Sequence, residues 1–180
     1  MGRLSTALPL YLCIVLEKQG NLVKTTFNII HAPAMQPLRS AHTFLTELFE
    51  AWNAHDKQRI LDLYHPDFEG IDFSEGKSAG GLNDAARMID YILTAFPDLH
   101  MELLESGCEG DQLFYFWKAS GHQRGRLMNI PPTGKMVVFQ GSTFFRLKDG
   151  KIYRGRRIWD VAAVLRQIGL LPEPSSAHYV

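Results

Sequence analysis

The sequence predicts an α+β domain in which helices lie on one face of an antiparallel sheet. Apolar residues recur at three- and four-residue steps in the first half of the domain, which is typical of helices. The second half carries alternating segments, and two of them, residues 136–147 and 151–159, are joined by Lys148-Asp149-Gly150, a strong hairpin signal. Helices gathered on one face of an antiparallel sheet define the α+β class.

The composition of the chain argues against several kinds of partner and cofactor. The formal net charge is +0 and the pI is about 7.1, so a nucleic-acid partner, which needs a basic excess, is not expected. The two cysteines, Cys13 and Cys108, form no CxxC pair, which argues against a disulfide framework or a zinc site and favours a reducing, cytoplasmic location. None of the seven histidines pair at i,i+4, so we expect no metal and no cofactor.

The chain divides into three predicted parts. Residues 37–171 form the domain, residues 172–180 a loose tail, and residues 1–36 an apolar arm whose longest apolar run is too short to span a bilayer. The arm packs on the domain or on a second subunit, or else Met35 is the true start. Met1-Gly2 with Thr6 also fits a myristoylation pattern, although membrane contact is not expected.

Helix and strand boundaries follow from local signals. Residues 38–52 predict a first helix, and Asp56 is a suitable N-cap for a second one, which His65-Pro66-Asp67 ends. Residues 68–73 then predict a strand and residues 76–81 a glycine-rich loop without phosphate-binding spacing. The remaining signals predict a third helix capped by Asn83 or Asp84, four strands with a turn at residues 107–111, and a last helix that starts at Asp160 and ends at Gly169.

Several motifs resemble those of one known family. They are Gly121-His122-Gln123-Arg124-Gly125-Arg126-Leu127, Ile130-Pro131-Pro132-Thr133-Gly134-Lys135, Phe139-Gln140-Gly141 and Asp149-Gly150-Lys151-Ile152. Together they closely resemble the SnoaL-like polyketide and ester cyclases of the nuclear-transport-factor-2-like superfamily. The resemblance implies a cone-shaped barrel of a curved mixed or antiparallel sheet, with three to four helices on its concave side around a cavity.

The resemblance also implies a reaction. Characterised polyketide members close rings by a metal-free aldol reaction, using an Asp and a His on the last two long strands. When the motif at residues 149–152 is aligned without gaps, the histidine position falls on Thr143 and the aspartate position on Arg157. Neither residue is a general base near neutral pH, so the expected acid–base pair is replaced.

Three other residues are therefore candidates for the chemistry. Asp72 either faces inward as a base or caps the following loop. His122 is either a general acid or base or a surface histidine. Arg157 either stabilises an enolate or pairs with Asp72 in a salt bridge.

Strand alternation and aromatic content predict the pocket. Tyr153, Arg157 and Trp159 fall on one face of the last strand by period two. The predicted pocket residues are Tyr115, Trp117, Phe139, Thr143, Phe145, Tyr153 and Trp159.

The leading interpretation is a cofactor-free cyclase or isomerase that acts on an apolar, polyketide-like carbonyl compound. The alternatives are a binding protein of the same fold that does not turn its ligand over, and an epoxide-type hydrolase. The resemblance implies a homodimer, for which the outward aromatic residues of the strand around residues 114–117 offer a patch.

Overall fold

The computed structural model describes residues 11–19, 22–30 and 39–173. The predictions that concern Met1, Gly2, Thr6, Met35 and residues 174–180 lie outside these ranges. The chain forms two compact units, residues 1–40 and 41–180.

An N-terminal hairpin forms where an apolar arm was expected. Strand β1 (Tyr11–Gln19) pairs antiparallel with β2 (Leu22–Ile30) in a separate two-stranded sheet. The register runs from Tyr11 opposite Ile30 to Gln19 opposite Leu22. A Gly-Asn dipeptide between two alternating runs is a hairpin signal, and residues 20–21 carry it.

The other unit contains four helices: α1 (Arg39–Asn53), α2 (Lys57–Asp62), α3 (Gly81–Ala95) and α4 (Val161–Gln167). Two predicted caps are confirmed. The Asp56 carboxylate accepts from the backbone N–H of Arg59 at 3.0 Å, and that of Asp160 accepts from Ala163 at 2.8 Å. The predicted cap of α3 is wrong, because the helix starts at Gly81 and the Asp84 carboxylate reaches back to the N–H of Gly80.

Six strands form the main sheet, in the order β4-β3-β8-β7-β6-β5. They are β3 (Tyr64–Asp72), β4 (Lys77–Gly80), β5 (His100–Glu109), β6 (Gln112–His122), β7 (Met136–Lys148) and β8 (Lys151–Trp159). Within this six-stranded sheet only the β3–β8 pair is parallel. The sheet is therefore mixed, and because its edge strands β4 and β5 do not pair, it is open rather than a closed barrel. The α+β class is confirmed.

Tertiary pairing extends three segments beyond their predicted bounds. β3 starts at Tyr64, four residues before the predicted strand, and residues 77–80 form β4 where a glycine-rich loop was predicted. β5 runs through Gly107, opposite Phe114, instead of turning there. A Cβ on Gly107 would lie 2.2 Å from the Phe114 ring, so this glycine lies under an aromatic ring rather than in a turn.

The core lies between the helices and one face of the sheet. Strand β6 alternates between buried side chains, such as Leu113 and Trp117, and half-exposed ones, such as Phe114 and Phe116. Leu45 of α1 and Ile89 of α3 are fully buried against the same side. The inward residues of β3, β6, β7 and β8 are therefore the ones available to form a site. No helix within the described ranges is long and apolar enough to cross a membrane.

Candidate functional site

A cavity of about 450 Å³ lies on the inner side of the main sheet. Strands β3, β6, β7 and β8 form one wall, and α3 with the end of α1 forms the other. Its size matches that of small-molecule sites, which are mostly apolar with a few placed polar groups. The apolar and aromatic lining consists chiefly of Trp52, Phe68, Met88, Ile92, Phe96, Leu99, Met101, Tyr115, Trp117, Leu127, Phe139, Phe145 and Trp159.

A row of four residues crosses the sheet at the floor of this cavity. Asp72 lies opposite Arg157, Arg157 opposite Thr143, and Thr143 opposite Tyr115. Directly opposed residues in a sheet point to the same face, so the register alone brings these four side chains together. All four line the cavity.

Asp72 and Arg157 form a buried ion pair. Arg157 donates from Nε and Nη2 to Oδ2 of Asp72, at 2.8 and 2.6 Å, and Trp159 donates from Nε1 to the same oxygen at 3.2 Å. Oδ1 accepts from the backbone N–H groups of Ser74 and Glu75, at 2.9 and 3.2 Å. The structure thus contains both the salt bridge and the loop cap that the sequence left open as alternatives.

This pairing leaves one part of the arginine available. Nη1 of Arg157 has no hydrogen-bond partner among the described residues, whereas both oxygens of Asp72 are occupied. The Arg157 side chain is 24% exposed and that of Asp72 is 9% exposed. Arg157 is therefore a cavity-lining cation with one unused donor group, and the Asp72 carboxylate anchors it.

Thr143 holds an aromatic wall in place. Its Oγ1 accepts a hydrogen bond from Nε1 of Trp117 at 2.9 Å. The indole passes over Gly141, where a Cβ would lie 2.5 Å from the Trp117 ring and 2.7 Å from the carbonyl oxygen of Ile158. A glycine at this position is what allows the Trp117 ring to approach the backbone so closely.

Two buried phenols lie near the ion pair. Burial raises the pKa of Tyr64 to about 12, against the opposing effect of the Arg157 charge. Burial likewise raises the pKa of Tyr115, with a further increase from neighbouring Tyr64. Both phenols therefore stay protonated near neutral pH and contribute polarity without charge.

A second polar cluster was not predicted from the sequence. The Glu75 side chain, which is 4% exposed, lies in the wall with Lys77 and Tyr91. Its Oε2 accepts from Lys77 Nζ at 2.5 Å and from the Tyr91 hydroxyl at 3.1 Å. Burial alone would lower the pKa of Lys77, but the hydrogen bond and charge of Glu75 outweigh it and raise that pKa. Alternation gave no signal for Glu75, because it lies in the β3–β4 turn.

The cavity opens beside this cluster. Lys77 and Arg87 line the cavity and have side chains 54% and 73% exposed, so they mark its mouth. Arg87 pairs with Asp84. With the Asp72–Arg157 and Glu75–Lys77 pairs, this makes three ion pairs in the lining. The seventh charged residue of the lining, Arg156, is exposed and forms no ion pair with the described residues. Among the described residues, no three His, Cys, Asp or Glu side chains are arranged to hold a metal ion.

His122 does not line the cavity. Strand alternation places Gly121 and Gln123 inward and His122 outward, where its side chain is 38% exposed. Its backbone N–H and Nδ1 lie 2.7 and 2.6 Å from the two carboxylate oxygens of Asp98. These hydrogen bonds lower the pKa of Asp98. His122 and Asp98 thus form a hydrogen-bonded pair on the surface at the end of β6.

Gln123 belongs to one of the motifs that resemble the SnoaL-like family, and its side chain organises a loop. Its side chain is fully buried and donates to the carbonyl oxygens of Gly125 and Pro131. Its Oε1 accepts from both the N–H and the hydroxyl of Thr133. The Pro131-Pro132-Thr133-Gly134-Lys135 loop is therefore folded around one buried amide, which is a structural role.

Tyr153 also lies outside the lining, unlike the other six predicted pocket residues. The β7–β8 register shifts between Arg146 and Leu147, which lie opposite Arg154 and Ile152. Tyr153 is the unpaired residue of this bulge, and the neighbouring Ile152 is the fully buried residue instead. The Tyr153 ring packs edge-on against His65. A period-two count cannot detect such a bulge.

Comparison with known proteins supports this architecture. The sequence profile of the SnoaL-like polyketide cyclases matches residues 42–168. Among solved structures, AclR of Streptomyces galilaeus, provisionally described as a hydroxylase, is 23% identical, with a TM-score of 0.68 over 78% of this chain and 87% of that one. A provisionally described SnoaL-like polyketide cyclase of Jannaschia sp. CCS1 is 24% identical, with a TM-score of 0.67 over 81% and 100%.

A third structure, IdmH of Streptomyces antibioticus, provisionally described as a polyketide cyclase, is 22% identical, with a TM-score of 0.62 over 72% of this chain and 98% of that one. At these identities the solved structures establish the fold alone. No functionally curated protein matches the sequence. The sequence profile covers well over half of the 180 residues. The chain belongs to the SnoaL-like polyketide cyclase family.

Proposed function

We propose that this protein is a cyclase or isomerase, of the lyase or isomerase class, that enolises an apolar, polyketide-like carbonyl compound. One observation carries the proposal. Arg157 is anchored by Asp72, keeps Nη1 without a hydrogen-bond partner among the described residues, and lines an aromatic cavity large enough for a small ring system. Preorganised donors aimed at developing negative charge are a large source of catalysis in sites that exclude water.

The lining suggests the class of substrate. Trp117, Phe139 and Trp159 form a continuous aromatic surface, with ring centroids 5.9 and 5.3 Å apart. Such a surface favours a planar ligand. Six of the seven charged lining residues form three ion pairs, and the seventh, Arg156, is exposed. The buried part of the lining therefore favours an uncharged ketone over a carboxylate or a phosphate.

In this proposal Arg157 binds the carbonyl oxygen and stabilises the enolate as charge develops on it. Asp72 is a positioning residue, because its two oxygens already accept five hydrogen bonds. Thr143 fixes Trp117 rather than exchanging a proton with the substrate. His122 has no part in the reaction, since it lies outside the cavity lining.

The experiment uses 2-tetralone, a planar apolar ketone, as the probe. We expect the protein to accelerate exchange of the C1 protons for deuterium in D₂O, followed by proton NMR. Arg157→Lys should reduce the rate by about 10²-fold, because the lysine cannot keep the two-point contact with Asp72 and present a second donor. The matched control is Arg154→Lys on the same strand, which faces outward towards Glu69 and should keep the parent rate.

A non-catalytic binding role is the second candidate. It is favoured by the saturation of Asp72, which leaves the predicted base without a free oxygen. All three tryptophans of the chain line the cavity, so quenching of intrinsic fluorescence measures 2-tetralone binding. Quenching by the parent without any exchange above the buffer rate would establish binding and contradict enolisation.

We also propose that the protein is a homodimer that pairs through the outer face of the sheet. Phe73, Phe114, Phe116 and Ile158 are each at least half exposed there. Monomeric proteins seldom expose such a contiguous apolar patch. Sedimentation at micromolar concentration should give twice the 20.4 kDa chain mass, and Phe116→Glu should return it to 20.4 kDa. Leu170→Glu, an exposed apolar site outside the patch, is the control, and a monomeric parent would contradict the proposal.

A further inference from the structure

The β3–β4 turn brings one glutamate into the cavity wall. Ser74 Oγ donates to the carbonyl oxygen of Trp159 and accepts from its N–H, at 2.8 and 2.7 Å, which fastens the turn to β8. Asp72 fixes the same turn by accepting from the N–H groups of Ser74 and Glu75. The Glu75 side chain that follows is 96% buried, which is the complement of its 4% exposure, and lines the cavity.

We propose that Glu75 is the catalytic base that removes the carbon-bound proton of the substrate, an inference that rests on the proposed enolisation. Glu75 and Asp72 are both buried carboxylates of the lining, but they differ in their free lone pairs. Asp72 accepts at both oxygens, whereas every hydrogen bond that the described residues make to the Glu75 carboxylate goes to Oε2. Oε1 is therefore open to a ligand.

Two neighbours hold this carboxylate in one orientation. Lys77 and Tyr91 both donate to Oε2, and the Tyr91 hydroxyl is itself fixed by accepting from the N–H of Met128 at 2.6 Å. The Lys77 ammonium also lies 4.0 Å from the centre of the Tyr91 ring. A base whose rotamer is fixed by its neighbours avoids the cost of being oriented during the reaction.

The proposed proton transfer from the substrate carbon to Glu75 needs no cofactor. Oε1 of Glu75 takes a proton from the carbon next to the ketone, and the C–H electron pair forms the C=C bond of the enolate. The C=O π pair moves onto oxygen, where Nη1 of Arg157 stabilises it. The protonated Glu75 carboxyl exchanges its proton for a deuteron of the D₂O solvent and delivers that deuteron to the same carbon, which gives exchange. When Glu75 instead protonates a conjugated carbon, the product is an isomer. In a cyclisation, the enolate carbon instead attacks a second carbonyl group, and Glu75 gives its proton to the alkoxide that results.

The test compares Glu75→Gln with Glu69→Gln in the 2-tetralone exchange assay. Both are glutamate-to-glutamine changes in the β3–β4 region, but Glu69 points outward and pairs with Arg154. We expect Glu75→Gln to lower the exchange rate by about 10²-fold or more, the usual contribution of a general base, while fluorescence quenching shows ketone binding retained. Glu69→Gln should keep the parent rate.

The outcomes separate this inference from the proposed function. Exchange by the parent that Glu75→Gln lowers by less than about threefold, with the fold intact, would overturn the role of Glu75 and leave enolisation standing. A parent that binds the ketone without exchange would overturn both. If Glu75→Gln does not fold, Glu75→Asp decides, since it keeps the charge but withdraws the carboxylate. It should cost about tenfold or more, and a parent-like rate would contradict the assignment.

Discussion

Two ion pairs between β3 and β8 should differ widely in energy. Asp72 lies opposite Arg157 and Glu69 opposite Arg154, so the same two strands hold both pairs in the same register. The first pair faces the cavity, with side chains 9% and 24% exposed. The second faces outward, with side chains 64% and 49% exposed. The strand geometry is therefore common to both, and burial is the variable.

The difference in burial sets the expected loss of unfolding free energy when one partner of each pair is removed. Removing one partner of a buried pair costs about 3–5 kcal/mol, because the other charge is left without compensation. Since the Arg157 side chain is already 24% exposed, we expect Asp72→Ala to cost about 3 kcal/mol, at the lower end of this range. Exposed pairs contribute about 0.2–1 kcal/mol, so Glu69→Ala should cost less than about 1 kcal/mol.

A double-mutant cycle isolates each pair. The changes are Asp72→Ala with Arg157→Ala, and Glu69→Ala with Arg154→Ala, each single and combined. The free energy of unfolding is measured by urea titration with tryptophan fluorescence. Loss of the Asp72 loop cap occurs in both arms of its cycle and cancels.

We expect a coupling energy of about 2 kcal/mol or more for the inner pair and below about 0.5 kcal/mol for the outer one. Equal coupling in the two cycles would refute the assignment of Asp72 and Arg157 to a buried pair.

Three further predictions concern a glycine, a phenol and an amide of the same domain. Gly141→Ala should lower the free energy of unfolding by about 1–3 kcal/mol, because the new Cβ would meet the Trp117 ring and the Ile158 carbonyl oxygen. Thermal melting measures this loss, and an unchanged melting temperature would contradict the close approach. Above about pH 10 the free energy of unfolding of the parent should fall by up to about 3 kcal/mol, because Tyr64 ionises at its ordinary pKa in the unfolded chain but stays protonated to about pH 12 in the folded one. Urea titrations at pH 9 to 12 measure this loss, and it should be smaller in Tyr64→Phe. Parallel curves for the parent and the variant would contradict the prediction. Gln123→Ala should cost about 3 kcal/mol, because buried groups of the loop would lose their partners, and a cost below about 1 kcal/mol would show that the loop does not depend on that amide.

Local signals predicted those parts of the fold that local interactions determine. The caps at Asp56 and Asp160 were predictable because each satisfies N–H groups within three residues of itself. Strand alternation also separated the inward from the outward side chains of β6, from which the positions of Tyr115 and Trp117 follow.

Features that depend on distant pairing were not predictable. Residues 77–80 become a strand because β3 lies beside them, and the bulge at Tyr153 exists only in relation to β7. The position of Glu75 depends on a turn held by Asp72 and by the backbone of Trp159, which lies 85 residues from Ser74 in the chain. A period-two count treats each strand alone, so it could place Arg157 in the cavity lining but gave no signal for Glu75, which lies in a turn.

The most direct test of the proposed site is a crystal structure of the protein with 2-tetralone bound. We predict the ketone against the aromatic surface of Trp117, Phe139 and Trp159, with its oxygen about 3 Å from Nη1 of Arg157 and its C1 carbon facing Oε1 of Glu75. A ketone bound outside the cavity, or bound within it with its oxygen turned away from Arg157, would contradict the proposed site.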